Sequence, residues 1–152
     1  MTLTRRQLLA AAGGRDGAPS VERLLGLETR LEAAYRAALA RDAIDPALGR
    51  LLLAHEREHV RGVEIALTRL ERRSSEGKAA PPPRSDTASR RAFARFALDL
   101  ERSAVDAYAT VLPTLDAQNL RQPLGSIMAA GAQHEVALRG VLGEPLLGRG
   151  VP

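Results

Sequence analysis

Cysteine and tryptophan are absent from this chain, and its 152 residues include only two tyrosines and two phenylalanines. Without cysteine there is no disulfide, no thiol nucleophile and no iron–sulfur ligation, and the cellular compartment is left open. Four aromatics are too few for a stacking platform along a single strand of nucleic acid. The net charge of +4 invites a nucleic-acid reading at first. The arginines, however, are spread along the chain and interleaved with glutamates, which reads as solvated helix faces with i,i+4 pairing rather than a clustered patch. Nucleic acid is therefore not an expected partner. No apolar run reaches the roughly 18–20 residues that span a bilayer, so the chain is not read as transmembrane. Long β-branched or alternating runs are missing too, which argues against strands. What remains is 45% hydrophobic, 26% charged and rich in alanine, leucine and arginine. That composition and length suit one all-α domain with a real core.

Helical periodicity divides the chain into four segments. Ser20 is the expected N-cap of the first, which runs to about Arg41 along a seam of Val21, Leu24, Leu25, Leu31, Tyr35, Ala38 and Leu39. Asp45-Pro46 opens the second, with Asp as cap and Pro in the first turn, and it ends near Arg73. Residues 74–86 contain Gly77 and Pro81-Pro82-Pro83 and predict an extended linker. The third helix begins near Thr87 or Ala88 and reaches Leu112, where Pro113 marks its end or a kink. Its seam is Leu98, Ala104, Val105, Tyr108, Val111 and Leu112. The fourth starts between Asn119 and Leu124 and follows Ile127, Met128, His134, Leu138, Val141 and Leu142 to a glycine C-cap at Gly143. The expected organisation is a leader or tail over 1–19, a helical domain over 20–143 built from hairpins 20–73 and 87–143, and a Pro/Gly-rich tail over 144–152. Within the leader, Thr4-Arg5-Arg6 followed by Leu8 to Ala12 resembles a twin-arginine export signal with a short hydrophobic stretch. The resemblance implies export to the periplasm or cell envelope. A basic tail on a cytoplasmic protein is the other reading.

The second segment carries His55-Glu56-Arg57-Glu58-His59. A helix advances about 100° per residue, so Glu56 and His59 project together onto the apolar seam of Leu48, Leu52, Val63, Ala66, Leu67 and Leu70. A carboxylate and an imidazole on a buried face are costly unless partnered. Two patterns fit. Glu56-x-x-His59 is the ligand pair that a four-helix carboxylate metal site takes from one helix, and His55-Glu56-x-x-His59 also matches the zinc-peptidase pattern. The zinc reading needs a third ligand and a strand edge for substrate, and the chain offers neither a second motif nor a strand. His55 is expected on the helix face, near the site.

The two halves repeat. Leu27-Glu28, six residues, Tyr35, three residues, Leu39 matches Leu100-Glu101, six residues, Tyr108, three residues, Leu112. Glu28 precedes His59 by 31 positions and Glu101 precedes His134 by 33. Each half is thus a helical hairpin with a glutamate in the seam of its first helix and a histidine in the seam of its second. Joined by a linker of thirteen residues, two such hairpins make a four-helix bundle in which the polar groups converge.

Over nearly all of Val21 to Pro145, including Ser126 to Glu135, the chain resembles the ferritin-like superfamily, in particular the two-repeat ferritin-like domain proteins of bacteria that often carry a twin-arginine leader. The resemblance implies an antiparallel four-helix bundle. It also implies a metal site with glutamates from helices one and three, here Glu28 and Glu101, and an E-x-x-H pair from helices two and four. The second pair is Glu56-x-x-His59. The fourth helix departs, with Gly131-x-x-His134, so a bridging carboxylate is missing. Tyr35, Tyr108, His55 and Glu135 are expected around the ligands, Glu135 only with a shift along the axis. The implied cofactor is iron, dinuclear or mononuclear, or manganese. The implied chemistry is oxidase, peroxide scavenging or metal sequestration. The partners expected are metal ions, with a homodimer as a candidate assembly. A metal-free structural or partner-binding bundle is the competing class.

Overall fold

The computed structural model describes residues 17–71 and 89–145. They form α1 (Gly17–Ala40), α2 (Pro46–Glu71), α3 (Arg90–Val111), a short 3-10 turn (Leu112–Thr114) and α4 (Gln118–Leu142). No strand occurs among the described residues, and no helix is long and apolar enough to cross a membrane. The twin-arginine-like stretch Thr4 to Ala12 and the whole proline linker over 74–86 lie outside the described residues.

Local chemistry accounts for most of the helix ends. The Asp45 carboxylate accepts hydrogen bonds from the Ala47 and Leu48 amides at 3.0 and 2.9 Å, with Pro46 in the first turn, where no amide hydrogen is needed. Ser89 caps α3 by accepting from the Ala92 amide, which puts the start two or three residues later than expected. Pro113 ends α3 and tightens the chain into the 3-10 turn. Gly143, at φ 69°, takes the left-handed conformation that closes α4, its amide donating to the carbonyls of Arg139 and Gly140. Two expectations fail. Ser20 is not the cap of α1, because the helix starts at Gly17 and Pro19 sits in its first turn. Val141, expected in the seam, is 48% exposed. It lies at the edge of the stripe that Leu138, Leu142 and Gly131 centre.

Two apolar layers show how the helices run. One layer joins Leu31 to Ala38 of α1 with Leu52 and Leu53 of α2, Phe93 to Leu98 of α3, and Leu138 and Leu142 of α4. The other joins Val21 and Leu24 with Val63 to Leu67, Tyr108 and Val111, and Leu120 and Leu124. The start of α1 therefore meets the ends of α2 and α3 and the start of α4. Both α1–α2 and α3–α4 are antiparallel pairs, while α2 and α3 run the same way. The end of α2 and the start of α3 therefore lie at opposite ends of the bundle, as a ferritin-like topology requires. Each fully buried leucine or phenylalanine contributes about 1.5–3 kcal/mol. Two such layers can offset the cost of the polar layer held between them.

Candidate metal centre

Between the apolar layers five ionisable side chains are buried together: Glu28 from α1, Glu56 and His59 from α2, Glu101 from α3 and His134 from α4. Each lies in the stripe that its helix turns inward, which is why four local periodicities deliver one cluster. They form two overlapping groups, Glu28–Glu56–His59 and Glu56–Glu101–His134, and in each group one donor atom per residue lies within 4.8 Å of the others. Glu56 belongs to both. Its Oε1 is 3.0 Å from His134 Nδ1 and its Oε2 is 3.6 Å from His59 Nδ1, so one carboxylate faces both histidines. His59 Nδ1 also stands 3.4 Å from Glu28 Oε2.

The hydrogen bonds do not saturate this cluster. His134 Nδ1 is paired with Glu101 Oε1 at 3.2 Å, and the Tyr35 hydroxyl donates to the same oxygen at 2.7 Å. Both oxygens of Glu56 and Oε2 of Glu28 meet only the Nδ1 edges of His59 and His134, which the carboxylates must share, and the hydroxyl of Tyr108 makes no hydrogen bond. Buried carboxylate oxygens that outnumber their donors are costly, and hard oxygen donors beside imidazoles suit a cation such as iron or manganese. The residues present therefore fit a metal ion.

The electrostatics agree. Burial raises the Glu28 carboxyl to about 7 against the pull of His59, and burial raises Glu101 likewise. Burial would raise Glu56 as well, but its contacts with His134 and His59 outweigh that and hold it down at about 2. Burial would lower both histidines, yet the facing carboxylates win. Glu28 and Glu56 lift His59 to about 10, and Glu101 and Glu56 lift His134 to about 9. Without a cation, three carboxylates thus hold two protons on the imidazoles and compete for a third. A divalent ion would replace those protons.

The surrounding residues divide unevenly. Tyr35 supports Glu101 across the bundle. Its repeat mate Tyr108 sits beside Glu28, where burial pushes its hydroxyl far above the ordinary range, and it makes no hydrogen bond. Tyr35→Phe is accordingly expected to cost about 2 kcal/mol by stripping a donor from a buried carboxylate. Tyr108→Phe should be neutral or slightly stabilising, and urea unfolding of the two variants side by side checks the contrast. His55 is exposed and stands outside both groups, with its Nδ1 3.0 Å from His134 Nε2 and the rings stacked at 5.3 Å. That placement does not serve the zinc-peptidase pattern, which needs His55 and His59 on one ion. Glu135 is drawn away from the centre. Its Oε2 lies 3.5 Å from Arg102 and 3.7 Å from Arg139, so the expectation that it lines the site is corrected. One residue past His134, it points toward these guanidinium groups rather than inward.

Gly131 stands beside Glu101, as the repeat requires, but it does not leave a hole. A methyl group placed there would meet Val105 Cγ2 at 3.2 Å and Glu101 Oε2 at 3.6 Å. The half-buried valine has closed over the position. Sequence reading placed Val105 in the seam without giving it this role, although its spacing of four from Glu101 puts both on one helix face.

The model of the ferritin-like domain family matches residues 21–144. No curated protein and no solved structure matches the chain significantly.

Proposed function

The chain belongs to the ferritin-like domain family, and we propose that it binds iron or manganese in the bundle core through Glu28, Glu56, His59, Glu101 and His134. The observation that carries the reading is Glu56, completely buried and shared by two donor groups, with one oxygen facing His134 at 3.0 Å and the other facing His59 at 3.6 Å. When bound, such an ion supplies one-electron redox chemistry or a stored cation, so the protein would act as an oxidase, a peroxide scavenger or a metal sequestrant. The residues' own contributions are separable. Glu56 spans the two positions, Glu28 with His59 and Glu101 with His134 complete one each, and Tyr35 orients Glu101. The apolar layers exclude water on either side of the polar layer. The leader-like segment suggests that this chemistry belongs outside the cytoplasm. A reporter fused to residues 1–20 should then be exported in a twin-arginine-dependent way.

Metal analysis of protein purified without chelators tests the reading, with at least one iron or manganese per chain expected. Absence of any bound metal, together with no binding on titration, would leave the metal-free structural bundle.

A pH profile of the chelated protein gives an independent check. His59 and His134 have folded pKa values raised above the ordinary 6.5, so their stabilisation is complete below pH 6.5 and is lost as pH rises through about 9 and 10. Glu28, raised from 4.5 to about 7, has the same sign at lower pH, losing stability between those values. Glu56, held at about 2, contributes above pH 4.5 and loses that contribution only as pH falls toward 2. The melting temperature without metal should therefore peak in mild acid and decline toward pH 10. The increment added by Mn²⁺ should grow over the same rise, because the ion displaces protons from the histidines. A metal-free profile that climbs from pH 6 to 10 would contradict the assigned proton placement.

A further inference from the structure

The two halves of the centre are built from a repeat, and the rings of His59 and His134 stack at 5.6 Å, yet only His134 has a further imidazole within hydrogen-bond distance of its outer nitrogen. His134 turns Nδ1 toward Glu101 and Glu56 and Nε2 toward His55 Nδ1, 3.0 Å away on α2. The repeat aligns Glu56-x-x-His59 with Gly131-x-x-His134, which sets Ala130 opposite His55. His59 therefore receives no counterpart of His55 from α4, only the stacked ring of His134 itself. The half that lacks a carboxylate at Gly131 is also the half with outside support, from Tyr35 on Glu101 and from His55 on His134.

We propose that His55 is a positioning residue for the ion held by Glu56, Glu101 and His134, accepting the His134 Nε2–H so that Nδ1 is presented to the metal. The inference rests on the metal-binding reading above. A neutral imidazole carries one N–H, and when Nδ1 faces an ion that hydrogen sits on Nε2 and requires an acceptor. The acceptor fixes both the tautomer and the ring plane, and loss of such an outer partner typically weakens metal binding about 10–100-fold. His55 meets the requirement with Nδ1, and the near-parallel stack, 12° between ring planes, holds its ring against His134. Its remaining nitrogen has no partner among the described residues, and the residue is exposed, so water can take the Nε2–H of His55. Exposure separates this role from packing, because little of the core depends on the His55 ring.

Calorimetric titration with Mn²⁺ in two backgrounds tests it. Glu28→Gln isolates the position of Glu101 and His134, and Glu101→Gln isolates the position of Glu28 and His59. In the first background His55→Leu should weaken Mn²⁺ binding about 10–100-fold, and in the second it should leave the affinity unchanged. His55→Asn, whose side-chain oxygen can accept from Nε2–H, should recover most of the loss. Nitrogen-15 spectra of the zinc-loaded protein add a readout that packing does not move. His134 should be a single Nε2–H species in the wild type and in His55→Asn, and mixed or broadened in His55→Leu. Unchanged Mn²⁺ affinity in the first background, equal loss in both backgrounds, or asparagine failing as leucine does would each overturn the assignment while leaving metal binding intact. A wild-type protein that takes up no Mn²⁺ or iron would overturn the proposed function and this inference with it.

Discussion

Replacing Glu56 by glutamine is expected to remove metal binding from both positions at once, whereas Glu28→Gln or Glu101→Gln should each remove one. The asymmetry follows from placement, since Glu56 is the single carboxylate common to the two donor groups and presents one oxygen to each histidine. The affinity lost at each position should exceed the roughly 10–100-fold that removal of an outer hydrogen-bond partner costs, because here the donor itself goes. The same substitution should weaken the metal-free protein. Glu56 is the counter-charge of two protonated imidazoles, and removing one partner of a buried ionic cluster costs about 3–5 kcal/mol. That penalty should be largest near pH 6 and should shrink toward pH 10, where His59 and His134 give up the protons that Glu56 balances. Metal titration and urea unfolding at the two pH values measure both effects. Retention of one tightly bound ion in Glu56→Gln would show that the two groups do not share this carboxylate.

The second large effect concerns Gly131. A glutamate there would restore the repeat, and glycine to a better helix former gains up to about 1 kcal/mol by propensity. The structure predicts that the single substitution will nevertheless destabilise the protein. Val105 Cγ2 would stand 3.2 Å from the new Cβ, and a β-branched side chain on a helix has little rotamer freedom with which to retreat. Overpacking of this kind costs about 1–3 kcal/mol, and the new side chain would start 3.6 Å from Glu101 Oε2, adding a like charge to the cluster. Gly131→Glu combined with Val105→Ala removes the steric obstacle and leaves only the charge repulsion, which a cation relieves. The double variant should then be unstable under chelation, recover strongly on adding Mn²⁺ or Fe²⁺, and approach two ions per chain. The wild type should bind the ion next to Gly131 more weakly than the double variant does. Gly131→Glu folding as well as the wild type without metal would mean that Val105 yields easily. Two tightly bound ions in the wild type would mean that no carboxylate is needed at 131.

The repeat, the four helices and the five polar residues in their seams were legible because each depends on spacing within one helix. A stripe every three or four residues faces inward whatever the neighbouring helices do, so Glu28, Glu56, His59, Glu101 and His134 could be named from periodicity and the repeat alone. Helix starts were less legible where two signals competed, as at Ser20, where Pro19 and Gly17 carry the helix past a good capping residue.

What the sequence by itself determined is the inventory: an all-α chain with two hairpins, one surplus of buried carboxylates and one missing carboxylate at Gly131. Only the tertiary structure decided how that inventory is connected. Glu56 faces both histidines, Tyr35 hydrogen-bonds Glu101 while Tyr108 stands beside Glu28 without a hydrogen bond, and His55 crosses to His134. Arg102 and Arg139 draw Glu135 outward, and Val105 covers Gly131. Most of these contacts join residues on different helices, and they depend on how far each helix is rotated and slid against its neighbours. That rotation and slide are set by the packing of the two apolar layers, which spacing along a single helix does not encode.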